Sequence, residues 1–175
     1  FYLESGIPIY DIVTAGAFEG GDFMVLKPGL IVCGYSGERT SREGMVQVRG
    51  WVEAEGWEFL SYEFDPYFLH LDVKLAMLAK DLACACIDAL ETEFVATLKG
   101  RGIEILGISY TAMRELGCNV VAMGDDRVLM PAGNSELAEL CRAHGLEVLA
   151  PDIGMFTAGG GGVHCMSQPL RRDPG

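Results

Sequence analysis

The phrase GRGIEILGIS, residues 100–109, stands between two others built on the same plan, AEGWEFLSYE at 54–63 and AHGLEVLAPD at 143–152. Their glycines, Gly56, Gly102 and Gly145, are 46 and 43 residues apart. Each phrase follows a stretch of helical character, puts glycine where a helix stops, and continues as a short alternating apolar segment. Each unit also carries a strand pair with a tight turn. The clearest are GDFMVLKPGLIVCGY (21–35) and NVVAMGDDRVLMPAG (119–133), with turn chemistry at Pro28-Gly29 and Gly124-Asp125-Asp126. Strand, strand, helix, strand is therefore the repeating α/β unit. A period of this size marks an array in which each unit buries its apolar face against its neighbours.

Helix starts agree with this register. TSRE (40–43) has the form of a capping box, Asn134 or Ser135 can cap ELAELCRAH, and Met45, Val48, Trp51 and Val52 mark one apolar face. The run VKLAMLAKDLACACIDAL (73–90) reads as a buried helix; Lys74, Lys80, Asp81 and Asp88 interrupt it too often for a membrane span. The opening FYLESGIPIYDI repeats the glycine and strand at Gly6, 50 residues before Gly56, and begins with Phe1. The expectation is that residues 1–175 form part of a single catalytic domain, with one or two units upstream or on another chain. A mature terminus left by signal-peptide removal fits the cysteine usage less well.

Half of the 175 residues are apolar, enough for one domain with a substantial core. A formal net charge of -12 argues against nucleic acid or an anionic membrane as partner, since both need basic patches. A cationic or small zwitterionic ligand fits better, although acidity also simply keeps a protein soluble. Of the six cysteines, Cys33, Cys84 and Cys86 lie in apolar runs, so core thiols and a reducing, cytoplasmic compartment are expected rather than disulfides. No Cys-x-x-Cys pair and no Cys/His cluster with zinc spacing occurs, which speaks against a structural metal.

The chemistry concentrates at the end, in GGGGVHCMSQPLRRDPG (159–175). On that stretch alone a turn beside a small buried thiol is the leading explanation. The chemical alternative is a thiolate flanked by backbone that a substrate can approach closely. A nucleophilic Cys165 needs a proton acceptor, usually histidine. His144 falls in a last helical turn. His164 adjoins Cys165 and, in extended backbone, points away from it. His70, in PYFLHLDVKL, remains. His70 and Asp72 face the same way in an extended segment, and Asp72 equally suits the N-cap of a helix from Val73. AFEGGDFMV, with Glu19 and Asp22, is a second acidic cluster or a turn. SGERTSREG offers Arg39 and Arg42.

The motifs EGGD, GERT, HLD and GGGGVHCMSQPLRRD, in this order, resemble the guanidine-modifying superfamily of arginine deiminases, arginine dihydrolases, dimethylarginine hydrolases and glycine amidinotransferases. The resemblance spans nearly the whole chain. It implies a five-unit α/β propeller, the pentein fold, of which this chain carries roughly the last three units. It further implies that Cys165 attacks a guanidinium carbon and that His70 moves protons to the leaving amine and from water. Glu19 and Asp72 would bind guanidinium nitrogens, and Arg39 the substrate carboxylate. Carboxylates suit a planar cation with a fork of N–H donors.

No cofactor or metal is called for. The implied partners are a small guanidino substrate and either the upstream units or further copies of the chain. Ala158 and glycines stand where arginine deiminases carry an arginine, and a further substrate-binding carboxylate of the family lies in an early unit. Three readings follow: a hydrolase of arginine or a close relative, an amidinotransferase, and a non-catalytic remnant that binds a partner or ligand.

Overall fold

In the computed structural model, which describes residues 1–170, three ββαβ units follow one another. The first contains β1 (Phe23–Lys27), β2 (Leu30–Tyr35), α1 (Arg42–Ala54) and β3 (Glu58–Glu63). The second contains β4 (Leu75–Ala79), β5 (Leu82–Ala85), α2 (Thr92–Gly100) and β6 (Glu104–Gly107). After a short helix α3 (Tyr110–Arg114), the third contains β7 (Val121–Gly124), β8 (Arg127–Leu129), α4 (Ser135–Ala143) and β9 (Glu147–Leu149). A single turn, α5 (Gly154–Thr157), follows.

In every unit the hairpin strands pair antiparallel and the third strand returns parallel to the second. The repeat extends to detail. Each hairpin has an irregularity at the same place, just before its turn. The first residue of each returning strand donates its N–H to that turn, Glu58 to Gly29, Glu104 to Asp81 and Glu147 to Asp126, each at 2.8 Å. Gly56, Gly102 and Gly145 have φ of +79°, +81° and +83°, the left-handed backbone that stops each helix.

Helices α2 and α4 each lie between two sheets, and α1 covers the outer face of the first. Phe94, Val95 and Leu98 of α2 pack against Leu26, Leu30 and Val32 of the first sheet and Ala83 and Ala85 of the second. Leu137 and Cys141 of α4 join Ala76, Leu78 and Cys84 of the second sheet to Val128 of the third. Met45 and Val48 of α1 cover Ile31, Cys33 and Phe59. The second sheet is thus apolar on both faces.

That two-sided burial corrects the reading of 73–90 as a helix. The run is the β4–β5 hairpin, turning at Lys80-Asp81 with Asp81 at φ +56°; a strand buried on both faces has no polar alternation to distinguish it from a buried helix. Asp72 accordingly caps no α-helix. It lies in a 3-10 turn, Leu71–Val73. The cap of α1 is Ser41, whose hydroxyl accepts from the Gly44 N–H, while Thr40 is buried elsewhere. Asn134 occupies the N-cap position of α4, but its amide donates to the Gly117 carbonyl. Gly6 has φ +68° like its counterparts, yet residues 7–12 form no strand.

Candidate functional site

The EGGD segment folds as an extended Glu19 followed by a 3-10 turn, Gly20–Asp22. Gly21 has to be glycine there, because a Cβ would come within 2.7 Å of His70 Cγ. Asp22 is fully buried and accepts the Leu71 N–H at 2.8 Å, which fixes the backbone just after His70. Burial pushes the Asp22 carboxyl up, against the pull of the Thr40 hydroxyl and the Leu71 N–H. Thr40 also accepts the Glu19 N–H, so the GERT loop and the EGGD segment are joined.

From this scaffold a line of charged groups extends. Arg39 Nη1 lies 3.3 Å from Glu19 Oε1, and Glu19 Oε2 lies 2.6 Å from His70 Nε2. The His70 hydrogen bond, helped by Arg39 and opposed by partial burial, holds the Glu19 carboxyl below its ordinary range. His70 Nδ1 faces Asp72 Oδ1 at 4.0 Å. The Asp72 side chain is 5% exposed; its Oδ2 takes the His164 ring Nδ1 at 2.8 Å, and its Oδ1 has no hydrogen-bond donor. One buried carboxylate therefore sits between two imidazoles with an acceptor left open.

Cys165 enters through Asn119. The buried Asn119 accepts the His164 N–H on Oδ1 and donates from Nδ2 to Cys165 Sγ, both at 2.9 Å. One of the four glycines now has a reason. A Cβ on Gly162 would lie 2.5 Å from Asn119 Oδ1. Cys165 is exposed, whereas the other five cysteines are free and buried. Burial pushes Cys33 up to about 12 and Cys141 up to about 11, which makes them inert.

Arg39, His70, Glu19 and Asp72 thus form one continuous line, and Cys165 joins it through two residues that the sequence reading did not use, Asn119 and His164. His164 lies in a turn rather than in extended backbone, and the carboxylate its ring reaches lies 92 residues upstream. His144 ends α4, with Nδ1 on the Leu140 carbonyl. A cavity of about 380 Å³ opens beside Arg39, lined by Glu38, Arg39 and Pro66 to Leu69. Arg171, Arg172 and Asp173, which complete the closing motif, lie outside the described residues. Among the described residues no cluster of His, Cys, Asp and Glu is placed to hold a metal ion, and no helix is long and apolar enough to cross a membrane.

Residues 8–172 match the sequence profile of the family described as N,N dimethylarginine dimethylhydrolase, eukaryotic. An N(G),N(G)-dimethylarginine dimethylaminohydrolase of Streptomyces coelicolor is 31% identical, over 89% of this chain and 55% of its own length. A crystal structure of a dimethylarginine dimethylaminohydrolase adduct with 4-chloro-2-hydroxymethylpyridine superposes with a TM-score of 0.71 at 27% identity, over 89% of this chain and 58% of that one. The N-terminal domain of a cyanobacterial arginine dihydrolase, bound to product, shares the fold at a TM-score of 0.83 and 20% identity, over 99% of this chain and 63% of that one. The chain spans about half the length of the curated relatives it matches, from 46% to 57%.

Proposed function

The chain belongs to the N,N-dimethylarginine dimethylhydrolase family, and from that membership we propose that it carries the nucleophile and proton carrier of a hydrolase acting on the guanidinium group of arginine or a close relative. The observation that supports this reading most is Asp72, a buried carboxylate with one oxygen undonated, set between His70 and His164 and linked to Cys165 through His164 and Asn119. A buried acceptor of this kind calls for a cationic donor, and a guanidinium supplies parallel N–H groups.

In the proposed reaction the Cys165 thiolate forms a bond to the guanidinium carbon, and the C–N bond to the leaving amine breaks as that nitrogen takes a proton from His70. The amidino-cysteine is then attacked by water, whose proton returns to His70. The C–S bond breaks, releasing a ureido product and the thiolate. Glu19 holds His70 Nε2 at 2.6 Å and Asp72 Oδ1 faces Nδ1 at 4.0 Å, so in this reading the proton that His70 carries is flanked by two carboxylates. Glu19 in this reading orients His70 as well as facing the guanidinium. Arg39, beside the cavity, is assigned to the substrate carboxylate, for which it would leave Glu19.

We read the three units as belonging to a five-unit propeller, supported by their repetition and by the 63% share of the cyanobacterial fold neighbour that they cover. Further units, on this chain's own polypeptide or on a partner, would bring the remaining substrate carboxylate. The free thiols support a reducing, cytoplasmic setting.

The test is Cys165→Ser in the protein that contains this chain, assayed with arginine and methylated arginines for citrulline, ornithine, ammonia and methylamines, and with glycine as an acceptor. Turnover should fall at least a thousandfold with the fold unchanged. Retained turnover would remove the covalent mechanism, and amidino transfer to glycine would make the enzyme a transferase.

A further inference from the structure

We propose that Asn119 is a catalytic residue, the hydrogen-bond donor that holds Cys165 in its thiolate form. This rests on the reading of Cys165 as the nucleophile and adds a group at its sulfur that the motifs do not include.

An asparagine side chain can present either its oxygen or its NH2 in a given direction. Here the direction is fixed. The His164 N–H can only donate, so it takes Oδ1 at 2.9 Å, and the Asn119 NH2 is left facing Sγ at 2.9 Å. An amide NH2 has no acceptor capacity, so the sulfur accepts. A thiolate accepts such a bond far better than a thiol, and the bond favours the ionised form. At 2.9 Å the NH2 and the sulfur are in direct contact, inside the reach of a sulfur acceptor.

The surroundings preserve this arrangement. Asn119 is 3% exposed and immediately precedes the strand-leading Val120, which is buried in the core shared by the second and third units. Gly162 leaves the space that Asn119 fills. The His164 ring is anchored on Asp72, so the loop bearing the thiol is tied to the second unit. The titratable groups nearest Sγ along these bonds are His164 and Asp72, with His70 beyond them. The contact at the sulfur itself is the neutral amide, which supplies a donor at every pH of interest.

The experiment measures alkylation of Cys165 by iodoacetamide, read on the peptide that carries it, as a function of pH. Asn119→Leu should slow alkylation at pH 7 by about three- to tenfold, the range expected for losing one hydrogen bond to a partly exposed anion. The difference should close near pH 10, where thiols ionise without help. Asn119→Asp keeps the acceptor for the His164 N–H, loses the donor and sets a like charge beside the sulfur, so it should slow alkylation at pH 7 at least as much. Parent-like labelling at pH 7 in folded Asn119→Leu overturns the proposal; if that variant does not fold, parent-like labelling in Asn119→Asp does. A slowing that persists undiminished at pH 10 also overturns it, since that would reflect access to the sulfur. Alkylation needs no substrate, so the outcome is separate from the turnover of Cys165→Ser, which tests the functional reading itself.

Discussion

Lys74 is the largest fully buried side chain, 1% exposed, with Nζ 4.5 to 5.1 Å from the ring centroids of Phe68, Phe64 and Tyr62. Three aromatic faces partly replace the water that its charge has lost. Burial still pushes the ammonium down to about 8, against the pull of Glu91 and Asp65. The sign of the effect follows. Between about 8 and 10.5 the unfolded chain binds a proton that the folded chain has released, so Lys74 makes stability rise with pH across that window. Below it the charge is buried in the folded state at a cost. Lys74→Met should therefore stabilise the protein at pH 7 by about 1–2 kcal/mol in urea denaturation, a gain that fades by pH 10.5. Such roles are hidden in a linear sequence, where Lys74 only interrupts an apolar run. That His70 and Asp72 lie together was legible because a histidine two residues from a carboxylate is informative locally. Asn119 and His164 were not, because their partners lie 46 and 92 residues away.

The glycines separate into two kinds at the level of the element. Gly102 ends α2 at φ +81°, where a Cβ is strained, so Gly102→Ala should cost about 1 kcal/mol. Gly50 lies inside α1 with open space around it, and Gly50→Ala should stabilise by about 0.5–1 kcal/mol. Thermal melts of the two variants should move in opposite directions. The first kind of glycine is what made the units readable, since a helix stop followed by a strand repeats at nearly constant spacing. The hairpin at 75–85 was not readable as such. Its residues face apolar cores on both sides, and Lys80-Asp81 carries none of the glycine that marks the other two turns.

Across the whole molecule, the two ends of the array carry exposed apolar side chains. Met123, Leu149, Met155 and Phe156 lie on the third unit and beyond it, and Ile9, Tyr10, Ile12 and Val46 on the first and before it. Residues 1–175 expressed alone should therefore associate or aggregate, with little guanidine-hydrolysing activity. Sedimentation and turnover beside a longer chain check this, and a fully active monomer would refute the propeller reading. The line from Arg39 through Glu19, His70, Asp72, His164 and Asn119 to Cys165 also has a mechanical meaning. It starts in the first unit, runs through the segments that lead into the second and the third, and ends beyond the third. Arrays of repeats can unfold piecemeal, each unit held mainly by its neighbours. A guanidino ligand gripping this line would act as a rivet through all three units, so hydrogen exchange that is graded from unit to unit in the free protein should become uniform, with the units opening together, once it binds.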